Sequence, residues 1–422
     1  MTPRRNASPD GRGQGLTVTL RPYLEVMNHP ASRQRSGIQM RLPALEAMCA
    51  TGARTRQNGA MAVGSVLSLF SGAGGLDLGV EAAGFRTTVA VEWDEDAADT
   101  MLKNRDRFFP ELNEAMGVDL YPLATGQGKG VTTKDIMKVG GFSSRERPDL
   151  LVGGPPCVAF SKSGFWLDWK READDPAASL LQAYTAVLAK SKPRYFILEN
   201  VYALTFNNKA SRPAFDRLLA EIKAAGYQFH WQVLHAADYG VPQARPRLFI
   251  VGARKGEKLP DFPEATHHGD WERRATGGGP LPHVTTGEAL ADLATTPEKS
   301  EVVRGKWGHL LPDIPPGDNY LYYTEKRGHP DPLFEWRSRY WSFLLKLNPN
   351  APSPTIQAQP GPNVGPFHWD NRRLRVPEMR RLFTFPDEFE FVGRRNSVQS
   401  QLGNSVPPKL AEQVARKIAE IL

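Results

Sequence analysis

The sequence places one cysteine where it could act as a nucleophile. Cys157 follows Gly153, Gly154, Pro155 and Pro156, directly after the apolar run DLLVG. The two prolines fix the backbone and remove two amide donors, which would hold the thiol rigidly at the end of a strand. A thiol is a strong nucleophile as its thiolate, although only a small fraction is ionised at neutral pH. The alternative is a buried, inert cysteine, the commoner fate of a single cysteine.

Two further motifs could supply a proton and cationic contacts. Glu199 and Asn200 end the apolar run YFIL, and a carboxylate leaving such a strand for a cleft can have a raised pKa and hold a proton. The alternative there is a helix or loop cap. In QARPR, Arg245 and Arg247 follow Gln243 at alternate positions, so their guanidinium forks share one side and suit carbonyl or phosphate oxygens. The alternative is a solvated strand edge with an ion pair.

A glycine-rich loop, FSGAGG, occupies positions 70–75 between a predicted strand and a predicted helix. Glycines let a ligand approach the backbone, and a helix N-terminus favours an anionic group. Asp77 stands where the dinucleotide fingerprint has its third glycine, which disfavours a pyrophosphate but allows a smaller nucleoside with an amino-acid tail. Glu92, twenty residues after Gly72, could accept ribose hydroxyls, and Trp93 could stack on adenine. The alternative is a tight turn plus a surface acid.

Short apolar runs alternate with helical patterns from residue 66 onward. We expect strands at 66–70, 87–93, 149–154, 195–200, 228–234 and 247–253, and a first helix that stops at Gly84. This alternation predicts an α/β fold with a mostly parallel sheet covered on both faces, with ligands outside the carboxyl ends of its strands. The pattern decays after about residue 255, and the final segment LAEQVARKIAEIL predicts an amphipathic helix.

Composition narrows the class of protein. The chain has 422 residues and no apolar run near the roughly 18 residues that span a bilayer. It has two cysteines, which excludes a disulfide scaffold, argues against a cysteine-rich zinc site and favours a reducing cytoplasm. Residues 1–62 hold nine Arg, no Lys and three acidic residues, so they contribute +6 to the chain's net charge of +7. The positive net charge therefore comes mostly from residues 1–62, and it says little about whether the protein binds nucleic acid.

Residues 1–62 lack a hydrophobic period and are rich in Arg, Gly, Ser and Pro. We interpret them as a disordered leader or as the product of a mis-set start, since initiation at Met61 would still yield a complete domain. A basic arm that grips DNA phosphates is the less favoured alternative.

The motifs together resemble those of the cytosine-5 DNA methyltransferase family, of the bacterial restriction-modification type. FSGAGG, VEWD, GGPPC, ENV, QARPR and the late GNSV (403–406) occur in the family's order, over residues 66–253 and 353–422. The resemblance implies a Rossmann-like S-adenosylmethionine-dependent methyltransferase sheet with a second, smaller target-recognition domain. The implied divisions are a catalytic domain at 63–254, a target-recognition region and small domain at 255–400, and a C-terminal helix at 401–422 returning to the catalytic domain.

The resemblance also implies roles for individual residues. Cys157 would add to C6 of cytosine, Glu199 would bind and protonate N3, and Arg245 would hold the base or its developing charge. DNA contacts would fall to Ser161, Asn200, Gln243 and Arg247, and we expect no metal. The implied S-adenosyl-L-methionine pocket consists of Phe70, Gly72, Ala73, Gly74, Gly75, Glu92, Trp93, Asp135, Ile136, Pro156, Asn404, Ser405 and Val406.

Target recognition is expected in residues 255–352, which carry four tryptophans and several arginines but no basic surplus. A better basic cluster, which could contact phosphates, consists of Arg372, Arg373, Arg375, Arg380 and Arg381. The expected substrate is double-stranded DNA, from which the target base is flipped out. We expect a cytoplasmic monomer with no membrane contact and, as a separate protein, a cognate restriction endonuclease.

Three other functions remain open from the sequence. A branch of the same family methylates cytosine in transfer RNA, although the long variable region favours DNA. A non-catalytic DNA-binding protein is disfavoured by the presence of Cys157 and Glu199. An NAD-dependent enzyme is disfavoured by Asp77.

Overall fold

A seven-stranded sheet organises the computed structural model. Its strand order is β3-β2-β1-β4-β5-β8-β6, with the short β7 (Gln243–Ala244) outside it. The strands are β1 (Ser65–Leu69), β2 (Arg86–Glu92), β3 (Glu114–Gly117), β4 (Leu150–Gly153), β5 (Tyr195–Val201), β6 (Tyr227–His235) and β8 (Pro246–Arg254). Among the described strands of this sheet, β8 alone runs antiparallel, to both β5 and β6. The mostly parallel sheet predicted from the alternation is therefore confirmed.

The structure describes residues 62–117, 131–156, 176–209, 211–268, 281–293, 301–337 and 340–422. The predictions made for the leader, for Cys157 and for Ser161 lie outside these ranges. Residues 61–422 form one compact unit. The domain boundaries expected near residues 254 and 400 stay predictions.

Ten α-helices are described around the sheet. They are α1 (Gly75–Ala82), α2 (Glu95–Lys103), α3 (Arg105–Phe108), α4 (Thr133–Val139), α5 (Pro176–Ser191), α6 (Ser211–Ala224), α7 (Thr286–Leu290), α8 (Val376–Leu382), α9 (Arg395–Asn404) and α10 (Pro408–Ala419). Local signals fix several of their starts: the Asp94 side chain accepts a hydrogen bond from the Ala97 amide at α2, and Thr132 and Asp135 form a capping box at α4. None of the helices in the described ranges is long and apolar enough to cross a membrane.

The sheet is buried on both faces. Along β1, Leu67 and Leu69 join a core that also contains Leu188 of α5, whereas Val66 joins a core that contains Val414 of α10. The alternation follows from the two-residue period of strand side chains. A sheet covered by helices on both sides needs such continuously apolar strands, which explains runs such as VLSL and YFIL.

The last helix packs against the first. A Cβ added at Gly79 of α1 would overlap the Cβ of Ala411 of α10 and lie 2.6 Å from the amide nitrogen of Glu412. The two helix backbones therefore touch at Gly79, and only a residue without a side chain fits there. This contact brings the end of the chain back to the helix that follows the glycine loop.

The region after β8 contains little regular structure. Its described part has the short pairs β9 (His267–His268) with β10 (Leu281–Pro282), and β11 (Ser353–Pro354) with β7. Short 3₁₀ helices at Gly308–Asp313, Tyr320–Tyr323 and Glu325–Arg327 surround a small core that includes Leu311, Phe367 and Leu344. This explains why the sequence shows no clean period here.

Candidate active site

The carboxyl ends of four neighbouring strands meet at one edge of the sheet. Gly153 at the end of β4 pairs with Leu69 at the end of β1 and with Leu198 near the end of β5, and Leu69 pairs with Val91 of β2. Because these strands are parallel, the segments that follow them emerge side by side. The glycine loop, Glu92, the GGPP segment and Glu199 are therefore neighbours, as expected.

The glycine loop has a backbone that few other sequences could adopt. Phe70, Gly72 and Gly74 have φ angles of 52°, 55° and 80°, all in the left-handed region. Among the described residues, a Cβ added at Gly72 would meet no atom within 4 Å, whereas one at Gly74 would lie 2.9 Å from the Phe109 ring. Gly72 thus borders open space, and Gly74 allows the loop to pack on the ring beneath it. Ala73, between them, is buried.

Glu92 binds the glycine loop through its carboxylate. Oε2 accepts a hydrogen bond of 2.7 Å from the Gly72 amide, and Oε1 accepts bonds of 2.9 Å from the amides of Trp93 and Asp94. Burial raises the pKa of Glu92, and the three amide hydrogen bonds oppose that rise. The neighbouring Trp93 side chain is 65% exposed, so an indole face is available beside a fixed carboxylate.

The late GNSV segment reaches the glycine loop. A Cβ added at Gly75 would collide with the carbonyl oxygen of Val406 and lie 3.2 Å from the Ser405 Cβ. Ser405 and Val406 are buried, whereas Asn404, the last residue of α9, is exposed. The structure therefore brings residues more than 300 positions apart to one loop.

Asp135 and Ile136 differ in their exposure. Asp135 is exposed and its carboxylate accepts hydrogen bonds from the amide and hydroxyl of Thr132, which lower its pKa. Ile136 is fully buried in the core beneath the sheet. Of this pair, only Asp135 offers a side-chain surface to a ligand.

Glu199 lies at the end of β5 in a buried ion pair. Its Oε1 is 3.0 Å from the Nε of Arg247, at the start of the neighbouring strand β8. Burial raises the pKa of Glu199, and the positive charges of Arg247 and Arg245 act to lower it. The pairing follows from the antiparallel register. Arg247 lies opposite Val201, and Glu199, two residues before Val201, is on the same face of β5.

The segment that leads to Cys157 is fixed beside Glu199. The Asn200 side chain donates a hydrogen bond of 3.1 Å to the Pro155 carbonyl and accepts one of 2.8 Å from the Val201 amide. A Cβ added at Gly154 would lie 3.0 Å from Oε2 of Glu199. The exposed Pro156 is the last residue described before Cys157.

The expectation that Arg245 faces the base does not fit its surroundings. Its side chain is fully buried, and its guanidinium donates hydrogen bonds to the carbonyls of Gly403, Ser405 and Ile356 and to the Gln243 side chain. Gln243 is also buried and donates to the Leu382 carbonyl. Both residues bind protein groups inside the fold, and Arg247 is the arginine beside Glu199.

The predicted basic cluster at residues 372–381 is largely neutralised within the protein. Arg372 is buried and forms a two-pronged ion pair with Glu378, at 2.6 and 3.0 Å. Arg375 pairs with Glu301, and Arg381 pairs with Asp292 and Asp387. These pairs support a structural role better than phosphate contact. In the described part of the chain, no group of three or more His, Cys, Asp or Glu residues could hold a metal ion.

Two relationships in the site were not predicted from the sequence. The Glu199–Arg247 pair depends on strand β8 running antiparallel, which periodicity does not reveal. The anchoring of Pro155 by Asn200 depends on which loop faces the end of β5. The ENV motif was a signal for the second, because a short amide side chain after a buried strand commonly binds a nearby backbone group.

Comparison with known proteins gives one consistent family. The model of the C-5 cytosine-specific DNA methylase family matches residues 64–420. Type II methyltransferase M.SacI of Streptomyces achromogenes is 45% identical over 380 residues, covering 85% of this chain and 93% of the relative. Type II methyltransferase M.NgoFVII of Neisseria gonorrhoeae is 30% identical, covering 84% and 86%.

Solved structures agree at the level of the fold. The Entamoeba histolytica methyltransferase EhMeth superimposes with a TM-score of 0.53 at 16% identity, covering 84% of this chain and 98% of that one. A proposed DNA modification methyltransferase encoded within an E. coli prophage gives a TM-score of 0.55 at 23% identity, covering 85% and 99%.

Proposed function

Because the chain belongs to the C-5 cytosine-specific DNA methylase family and is a DNA (cytosine-5-)-methyltransferase, we propose that it uses S-adenosyl-L-methionine to methylate C5 of a flipped-out cytosine through a covalent bond between Cys157 and C6. The observation that carries this proposal is the buried Glu199–Arg247 pair beside the segment that leads to Cys157. A carboxyl group so placed can donate a proton to a base that enters the same edge of the sheet.

The glycine loop and its neighbours fit S-adenosyl-L-methionine. Open space borders Gly72, the Trp93 indole is exposed for stacking, and the fixed Glu92 carboxylate retains lone pairs for ribose hydroxyls. Ser405 and Val406 would close the pocket from the far end of the chain. When bound, this cofactor supplies a methyl group on a positively charged sulfur.

The chain's own residues would prepare the cytosine. A cytosine inside a duplex is out of reach, so the base must be flipped out at a cost of about a few kcal/mol. The Cys157 thiolate then adds to C6, and its electron pair makes C5 nucleophilic. Protonated Glu199 donates to N3 and neutralises the charge that develops there, so its contribution is largest in the transition state.

The same residues would complete the reaction. Once C5 carries the methyl group, loss of its proton, with water as the candidate base, reforms the C5–C6 double bond. The thiolate of Cys157 leaves with its electron pair, and N3 returns its proton to Glu199. Arg247 would hold the Glu199 carboxyl group in place while the adduct forms and while it breaks down.

The relatives' names favour a role in a type II restriction-modification system. The enzyme would then act as a monomer on duplex DNA, and a separate endonuclease would cut the unmethylated form of the same sequence.

Transfer of a radiolabelled methyl group to duplex DNA and to transfer RNA tests the substrate. We expect label in duplex DNA only, and bisulfite sequencing of DNA from expressing cells should show one methylated sequence context. Label confined to transfer RNA would contradict the proposal.

A further inference from the structure

Arg245 is a buried cation that is bound by backbone carbonyls. Its side chain has no exposed surface, and no carboxylate of the described residues lies within ion-pair distance of it. Four acceptors surround its guanidinium, and the ring of Phe383 lies 4.9 Å from its central carbon. Its Nε is buried without a hydrogen-bond partner among the described residues, so burial of this arginine is costly despite the four acceptors, which points to a specific task.

Two of these carbonyls mark the end of a helix. Nη2 of Arg245 donates hydrogen bonds of 2.6 Å to Gly403 O and 3.0 Å to Ser405 O, at the C-terminus of α9. Carbonyls in the last turn of a helix lack intrahelical partners and carry partial negative charge, so a cation there is favourable. Arg245 thus caps a helix about 160 residues further along the chain.

The capped segment forms one wall of the glycine loop. Ser405 and Val406 press on Gly75, the first residue of α1. On its other side, Gly403 packs so closely on Ala358 that an added Cβ would overlap that residue's backbone. Residues 403–406 therefore have little freedom as long as Arg245 holds their carbonyls.

Arg245 also adjoins the Glu199–Arg247 pair. It lies two residues before Arg247, whose Nε pairs with Glu199. One short segment, 245–247, thus contacts both the wall of the glycine loop and the buried carboxyl group.

We propose that Arg245 is a positioning residue that holds residues 403–406 against the glycine loop and so completes the S-adenosyl-L-methionine pocket, without contacting the cytosine. The inference rests on the proposed function, because it assumes that the glycine loop binds this cofactor. It separates the two arginines of QARPR: Arg245 serves the cofactor and Arg247 serves the base.

The test compares Arg245→Met with Arg247→Met in the full-length protein. We expect Arg245→Met to raise the Kd for S-adenosylmethionine at least tenfold and to keep kcat at saturating cofactor within about threefold. Arg247→Met should do the reverse, with kcat reduced at least tenfold and the cofactor Kd unchanged. Arg245→Lys, which can still donate to the carbonyls, should recover part of the affinity.

A milder variant covers the case in which Arg245→Met does not fold. Phe383→Leu removes the ring beneath the guanidinium but leaves all four acceptors, and it should raise the cofactor Kd two- to fivefold with kcat unchanged. Unchanged cofactor affinity in folded Arg245→Met, or in Phe383→Leu if the former is lost, would overturn the inference. So would a fall in kcat alone. Failure of the wild-type protein to bind the cofactor would instead refute the proposed function.

Discussion

The Nε of Arg247 lies 3.0 Å from Oε1 of Glu199, and each side chain is only about a tenth exposed, at 12% and 10%. The positive charge of Arg247 lowers the pKa that burial raises at Glu199. If protonated Glu199 is the donor to N3, methyl transfer should decline as the pH rises through this pKa. Replacing Arg247 by Met should raise the pKa of Glu199 and move that decline to higher pH.

The pH profile of single-turnover methyl transfer measures this shift. Arg247→Lys is the matched control, since it keeps a charge near the carboxylate and should leave the decline closer to its original pH. A descending limb in the same place for all three proteins would assign that limb to another group.

Removal of the acid itself should reduce the rate of the chemical step. We expect Glu199→Gln to lower kcat roughly 100- to 10,000-fold, the usual contribution of a positioned general acid. The cofactor Kd should be unchanged, because among the described residues Glu199 pairs with Arg247 and takes no part in the hydrogen bonds that Glu92 makes to the glycine loop. Rapid-quench measurement with labelled cofactor gives both quantities, and a rise in cofactor Kd with normal kcat would place Glu199 outside the chemistry.

The exposed indole of Trp93 should contribute to cofactor affinity. Stacking of a base on an aromatic side chain is worth about 1–3 kcal/mol, so Trp93→Ala should weaken binding of S-adenosylmethionine roughly 5- to 150-fold. Trp231 provides the control. It is 44% exposed on β6, the edge strand at the opposite end of the sheet from β2, and Trp231→Ala should bind the cofactor normally. Calorimetric titration measures the affinity of each variant for S-adenosylmethionine. Equal affinities of Trp93→Ala and Trp231→Ala would exclude stacking on Trp93.

Two buried acids on α1 should make stability depend on pH. Burial raises the pKa of Asp77 from 3.8 to about 6 and that of Glu81 from 4.5 to about 8. A raised folded-state pKa means that the folded protein binds more protons, so stability is greatest below the unfolded-state values and falls as pH rises through the folded ones. We therefore expect the free energy of unfolding to fall between about pH 4 and pH 8 on account of these groups.

Asp77→Asn removes one of them. Its amide oxygen can still accept from the Thr87 hydroxyl, as Oδ1 of Asp77 does at 3.5 Å. Relative to wild type, the variant should be more stable above pH 6, by up to about 3 kcal/mol, and similar near pH 4. Asp216→Asn, at an exposed pair with Arg212, is the control and should change little. A variant less stable than wild type at pH 8 would contradict the assignment.

The contact between α1 and α10 should be intolerant of a single methyl group. Gly79→Ala would force the Cβ into Ala411 and the α10 backbone, and overpacking of this kind costs roughly 1–3 kcal/mol. Gly117→Ala, whose Cβ would meet no atom of the described residues within 4 Å, is the control. Denaturant unfolding compares them, and equal stability of the two variants would mean that α10 does not pack on α1 as described.

Much of the catalytic fold could be predicted from the sequence because its strands are apolar on both faces. The runs at 66–70 and 195–200 became β1 (Ser65–Leu69) and β5 (Tyr195–Val201) with shifts of one residue at their ends. Gly84 ends the first helix in a left-handed conformation, as its position suggested. Such signals are local, so they survive without knowledge of the tertiary fold.

Relationships that depend on tertiary packing could not be predicted. Alternating side chains put Arg245 and Arg247 on one side, but only the structure shows the first among carbonyls and the second beside Glu199. The basic character of residues 372–381 was visible, but their pairing with Glu301 and Glu378 was not. Long-range partners of charged residues leave no period in a sequence.

The covalent bond proposed between Cys157 and C6 of the target cytosine can be trapped. Duplex DNA with 5-fluorocytosine at the methylated position tests it directly, because fluorine at C5 cannot leave as a proton does and the adduct persists. With S-adenosylmethionine present, wild-type enzyme should migrate as a protein–DNA complex on a denaturing gel, and Cys157→Ala should not, while it still binds the cofactor. A complex that forms equally well with Cys157→Ala would contradict the account.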